Sequence, residues 1–451
     1  MNTSLLNVDL RLLPKNLFLL FLLAFPIFAY VVSNQMGMDP SNILGLICLS
    51  YLLFRLCQIY KTGSNLVMPL YVVLFGFFTG YVLLNDMFVS NRLEERGIKY
   101  FYSNSIWLTF IAFIIVENIH FSFGSLKFAK RILEFTLILA SVVSIIQISN
   151  PLFFINDELF VQGLSVDRMA EYYRNVPHAK LGTNGEAGYV DRFLKGYRLS
   201  IFSYIDGMSV GMDTIAIFSI LVAWRPINSI KRGVFTLSAA IVSFLSSARW
   251  MMLNFFVVAS DFIWSGKNKL ANFIYFVFSS IVVLMILCLI ANFMGFDVKQ
   301  FISERLLSDS AGTRILAFEV FFEVFPDNPI FGTGGADTEK MLRLVAGKSS
   351  QIHVGFLKLF YYYGLVGGLL YLSFMVAFLI RLRIMAKHSG YWGGFLAILT
   401  FFIANLTLFE LSLFYYGPLL AIIFANHFYF NKMENKDTLI MNGKSDYPYL
   451  N

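Results

Sequence analysis

The chain has 451 residues, 57% of them hydrophobic and only 14% charged, with a mean hydropathy of +0.67. That is too apolar for a soluble protein and too segmented for a single anchor, so a polytopic membrane protein is expected. The net charge of +7 lies largely in short loops, where membrane orientation rules place it, which argues against a nucleic-acid partner.

A helical span needs roughly 20 mostly apolar residues, and about twelve stretches meet that need. The first, 16–33, follows Arg11 and Lys15 and has the outline of a signal peptide. No small-residue cleavage site follows it and further spans come soon, so it reads as a retained span. Stretches 41–59, 66–85, 103–119 and 132–150 complete an N-terminal block, 1–150, and a large polar loop, 151–198, comes next. The central block, 199–294, holds candidates at 202–223, 233–247, 250–264 and 272–294. Within it 233–264 is nearly continuous and is broken mainly by Ser246-Ser247-Ala248-Arg249. That run is too long for one span and short for two, which puts the arginine at a turn near one membrane face. A second large polar loop, 295–353, leads to spans at 355–380, 391–409 and 412–430 within a C-terminal block, 354–430. The tail, 431–451, reads as disordered, and there is no internal repeat. The expected fold is therefore all-α, a polytopic membrane helix bundle of about twelve transmembrane helices.

Lysine and arginine set the sidedness. Lys61, then Lys127, Lys130 and Arg131, then Arg225, Lys231 and Arg232, then Lys267 and Lys269, then Arg381, Arg383 and Lys387 all fall to one face, which is taken as cytoplasmic. The short loops 34–40 and 410–411 on the other face carry none. Both termini are then inside, and the two long loops are outside. The stretch 86–102, also outside, holds Arg92, Arg96 and Lys99, offset by Asp86, Glu94 and Glu95. Cys48, Cys57 and Cys288 all fall in apolar runs with no CxxC spacing, so neither a disulfide framework nor a zinc site is implied.

An outer face has no ATP supply. Gly347-Lys348-Ser349 has the ending of a phosphate loop, but Leu342 stands where its first glycine belongs. Gly332-Thr333-Gly334-Gly335 lacks the strand and spacing of a dinucleotide fingerprint and reads as a plain turn. No Asp-x-Asp pair offers a divalent metal a diphosphate-binding seat, so neither metal nor cofactor is expected. What remains is a set of arginines and one histidine. Arg198, Arg249, Arg305 and Arg314 fall at outer edges of spans or loops, and a planar, always-charged guanidinium suits the phosphate oxygens of a lipid head group. Each equally answers to an interfacial arginine that snorkels to water. Arg249 stands out because it interrupts an apolar run, where an ionisable residue is a functional hypothesis by default.

His353, where the second outer loop re-enters the membrane, is placed either to take a proton from an incoming hydroxyl or simply to bond loop backbone. Glu319 and Glu323, one helical turn apart, offer a second base or a partner that orients an arginine. The alternative is the wet face of an amphipathic helix lying along the membrane. In the first outer loop, Tyr172, Tyr173, Tyr189 and Tyr197 among Asp167, Glu171, Glu186 and Asp191 suit sugar recognition and equally an ordinary folded loop.

The order of these features carries a resemblance. Ser246-Ser247-Ala248-Arg249 comes first, then Ala311-Gly312-Thr313-Arg314, then Pro329-Ile330-Phe331-Gly332-Thr333-Gly334, then His353, then Gly364-Leu365-Val366-Gly367. This set resembles the O-antigen polymerase and O-antigen ligase superfamily of bacterial envelope proteins. There a Ser-Arg element precedes an outer loop with an arginine-led helix, a Pro-x-x-Gly-x-Gly turn, a histidine and a Gly-Leu-x-Gly span. The resemblance covers about 196–380, including Arg198-Leu199 on the approach to the core. Two positions depart from it: Trp250 and Met251 follow Arg249 where small residues are usual, and Val354 follows His353 where asparagine is usual.

The resemblance implies a GT-C-like fold with two large periplasmic loops in a Gram-negative inner membrane. It implies a metal-independent, inverting glycosyl transfer from glycan on undecaprenyl diphosphate to a second lipid-linked acceptor. By that likeness Arg249 and Arg314 would hold the diphosphate and His353 would deprotonate or orient the acceptor hydroxyl, while Arg198, Arg305 and Glu319 stand as substrate-binding candidates from the reading of the residues. A polymerase extending lipid-linked O-antigen is the expected activity, and the ligase that joins glycan to lipid A core is the alternative. A flippase for the same lipid-linked sugars is the competing class, and a chain-length regulator is a further partner left open.

Overall fold

The computed structural model describes residues 13–36, 40–62, 66–90, 105–149, 200–202, 207–246, 249–261, 310–348, 352, 354–407, 411 and 415–441. It also describes single positions at 94, 97, 100, 153, 270, 274, 277, 278, 281, 285 and 289. Among the described residues there are thirteen α-helices, one 3-10 turn and no strand. In chain order they are α1 (Leu13–Met36), α2 (Pro40–Thr62), α3 (Leu70–Phe88), α4 (Ser105–Glu117), α5 (Phe123–Ser149), α6 (Gly207–Ala223) and α7 (Ser229–Leu245). After these come α8 (Arg249–Ala259), α9 (Ser310–Val324), the 3-10 turn Phe325–Asp327, α10 (Glu339–Lys348), α11 (Gly355–Ser389), α12 (Gly393–Ala404) and α13 (Tyr416–Met441). The all-α expectation is met. α3 and α11 are each apolar and long enough to cross a membrane.

Helix ends depart from the hydropathy reading in a consistent way. α5 starts at Phe123, so Lys127, Lys130 and Arg131, expected in a loop, are helical. α11 runs on to Ser389 and carries Arg381, Arg383 and Lys387 with it, and α13 runs to Met441 into the tail expected to be disordered. Lysine and arginine are good helix formers, so a helix does not stop where its apolar face stops. It stops at a capping signal. Gly390 supplies one for α11, with a left-handed φ of 77° and its N–H on the Ala386 carbonyl at 2.8 Å. Asn228 starts α7 by accepting the Ile230 N–H at 2.9 Å. The expected span 272–294 lies almost wholly outside the described residues.

The centre of the bundle is α6, buried on every face from Val210 to Ala223, which is the pattern of a helix apolar all round. It packs on α7, α8, α12 and α13. A second zone joins α3 and α11, which run antiparallel with aromatic side chains between them. Tyr71 stacks on Phe378 at 4.2 Å, Phe75 meets Phe374 at 4.6 Å and Phe78 meets Tyr371 at 5.1 Å, while Phe113 of α4 packs edge-on to Tyr71 and Phe75. At one end of this pair the buried Glu117 accepts the Tyr71 hydroxyl at 2.6 Å and pairs with Arg381 at 2.5 Å. A separate small core lies at the other end. Val320, Phe321 and Val324 of α9, Met341 of α10, Ile352 and Tyr361 of α11 bury one another, so this part of the second polar loop is a folded unit seated on the start of α11.

Candidate functional site

The two glycine motifs of the sequence meet in space. Gly364 breaks α11 with φ 61° and ψ −167°, a conformation essentially reserved to glycine. The turn Pro329–Gly335 inserts its main chain at that break. Leu365 and Val366 donate their N–H groups to the carbonyls of Pro329 (2.8 Å) and Ile330 (3.2 Å), while Thr333 and Gly334 donate to the Tyr362 carbonyl at 2.9 and 3.0 Å. No side chain fits between the two segments of this clasp. A Cβ on Gly332 would lie 2.4 Å from the Tyr362 oxygen, and one on Gly364 would lie 2.2 Å from the Ile330 oxygen.

α3 closes the clasp from the side. The Tyr81 hydroxyl bonds the carbonyls of Phe331 and Tyr363, both at 2.9 Å, and Asn85 Nδ2 donates to the Phe331 carbonyl at 2.7 Å. The amides of Gly332, Thr333, Gly334 and Gly335 all point at protein carbonyls. They form no amide nest of the kind that holds a phosphate, which agrees with reading this motif as a turn. Gly347 and Lys348 likewise come at the C-terminal end of α10, the wrong end of a helix for a phosphate loop.

The expected site residues are placed unevenly. Arg249 is the first residue of α8, half-buried, right after the break at Ser246. That break is pinned: the Ser246 hydroxyl contacts Met251 Sδ at 3.0 Å and Asn254 Nδ2 donates to the Thr400 carbonyl at 2.8 Å. The bulky Trp250 is admitted because Gly211 of α6 faces it, where a Cβ would overlap the indole at 2.0 Å. Arg314 lies in the first turns of α9, and its side chain is outside the described residues. Arg198, Arg305 and His353 are also outside the described residues. The two neighbours of position 353 are described: Ile352 is buried in the loop unit and Val354 is the N-cap of α11, with no side-chain hydrogen bond to cap it.

Glu319 is exposed on α9, as is Glu323. The expectation of a wet helix face does not hold there, since Ile315, Phe318 and Phe322 are exposed beside them. The buried side is set by Ala317, Val320, Phe321 and Val324 against the loop core, not by segregation of polar residues.

Lys358 is a further residue of this unit, outside the sequence expectations. It sits in the first turn of α11, where the helix dipole disfavours a cation. A ring and a carboxylate hold it there: its Nζ lies 5.2 Å from the Tyr362 ring centroid, and the Tyr362 hydroxyl donates to Asp337 Oδ1 at 3.1 Å. The rule that singled out Arg249, an ionisable residue in an apolar run, also finds Lys358. Tyr361 serves the same unit by accepting the Thr338 N–H at 2.9 Å, and the Thr338 hydroxyl in turn caps α10 at the Met341 N–H, 3.2 Å away.

Residues 233–372 match the family model described as O-antigen ligase. The matched stretch is under a third of the chain and includes Arg249, Arg314, the Pro329–Gly335 turn, His353 and the Gly364 break. It supports placing this protein in the O-antigen polymerase and ligase superfamily. No curated protein matches the chain.

Proposed function

We propose that this protein is an O-antigen polymerase, a membrane glycosyltransferase that transfers glycan from undecaprenyl diphosphate onto a new lipid-linked repeat unit at the outer face of a bacterial inner membrane. The observation that carries the reading is the interlock itself. The turn that follows the Arg314 helix is bolted by its main chain to α11, so the helices on either side of this part of the polar loop are held in fixed relation. In the proposed reaction the acceptor hydroxyl attacks the anomeric carbon, inverting it, and the bond to the diphosphate oxygen breaks. His353 takes the hydroxyl proton. Arg249 and Arg314 stabilise the charge that develops on the departing diphosphate, the kind of electrostatic contribution that is commonly the largest in catalysis. Arg198, Arg305 and Glu319 line the glycan path in this scheme.

A second reading is the ligase, favoured by the description of the matching family model. Deleting the gene and resolving the cell's lipopolysaccharide on a gel separates them. Loss of a polymerase leaves core bearing a single repeat, and loss of a ligase leaves bare core with polymer on the lipid carrier. Bare core without outward-facing polymer points instead to a flippase. Complementation with Arg314→Ala or His353→Ala, at normal protein levels, is expected to lower polymer at least about 100-fold, as for removal of an oxyanion-type donor. A full ladder from either variant would remove that residue from the mechanism.

A further inference from the structure

A trough of about 760 Å³ runs along the α3–α11 pair on the side away from the clasp, and the proposed reaction does not use it. Its walls are apolar, with Leu74 of α3 and Leu369, Leu372 and Val376 of α11 among them. Along α11 it extends from Leu369 to Met385, about 24 Å at 1.5 Å per residue. That exceeds half of the roughly 30 Å hydrocarbon thickness of a bilayer, so the trough has room for the chain of a lipid in one leaflet.

Polar groups gather at one end. Arg381 lines the trough with its side chain 26% exposed, and Tyr429 lines it beside Arg381. His388, two turns further along the same face of α11, packs its ring 6.2 Å from Tyr429. Glu117, the acid at this end, is 1% exposed and is engaged by Tyr71 and by one edge of the guanidinium. An apolar trough with an arginine and a tyrosine at one end matches an amphiphile with an anionic head and a hydrocarbon chain.

We infer that this trough binds one membrane phospholipid with an anionic head group, its phosphate at Arg381 and one chain between α3 and α11. The test is native mass spectrometry of the full-length protein in mild detergent, titrated with phosphatidylglycerol or phosphatidylcholine. One phosphatidylglycerol is expected to stay bound, with about five-fold preference over phosphatidylcholine, the effect of one basic side chain near a head group. Ser373→Trp, an exposed position in the trough wall remote from the ion pair, is expected to abolish that binding with the melting temperature unchanged. Arg381→Lys is expected to keep the lipid with a weaker preference. Undiminished lipid on Ser373→Trp, equal binding of the two phospholipids, or retention of a polyprenyl phosphate in their place would each overturn the inference.

Discussion

The two ends of the α3–α11 pair are fastened by opposite means. At the clasp, neutral main-chain groups meet with no room for a side chain, and Tyr81 and Asn85 add uncharged hydrogen bonds. At the other end a buried carboxylate is held between a tyrosine hydroxyl and an arginine. A fastening made of amide dipoles depends on shape and fails when a single atom is added. One made of charges depends on a partner and fails when that partner is removed.

The largest effect is expected from adding one atom. Gly364→Ala combines a glycine-only backbone conformation with a Cβ 2.2 Å from the Ile330 oxygen, and strain and overpacking together predict about 3–5 kcal/mol of lost stability. Thermal unfolding in detergent measures it, and a variant that melts like the parent would show that the clasp does not hold the helix pair. Removing a charge comes next. Arg381→Met strands Glu117 and is expected to cost about 3 kcal/mol, most of it recovered in the double variant Glu117→Gln/Arg381→Met. If the double variant is no better than the single one, the loss comes from packing and the contrast between the two ends weakens. The smallest effect belongs to Asn85→Ala, which leaves Tyr81 on the Phe331 carbonyl and is expected to cost about 1 kcal/mol by the same unfolding measurement.

Much of the bundle is legible in the sequence because hydropathy reports apolar faces directly. The expected segments at 66–85, 202–223 and 355–380 fall on α3, α6 and α11. Helix ends are less legible, since Lys127 and Arg381 continue helices that their charge seemed to end. The break at Ser246 is foreseeable because Arg249 interrupts an apolar run. The order of the glycine motifs is readable too, but their mutual contact is not. It is made by main-chain atoms some thirty residues apart and closed by Tyr81, which no local pattern links to Phe331. The Glu117–Arg381 pair is hidden for the same reason: each residue reads as the boundary of its own span, and only the antiparallel packing brings them together.

The break at Gly364 has one more property. An unbroken α11 would send the amides of Leu365 and Val366 to the carbonyls of Tyr361 and Tyr362, four residues back. Here those amides go to Pro329 and Ile330, while the two tyrosine carbonyls receive amides from Thr333, Gly334 and Gly335. Two donors and two acceptors of the helix have found their partners in two acceptors and three donors of the turn. Straightening the helix and releasing the turn are therefore one coupled exchange, in which each helix bond regained is a turn bond given up.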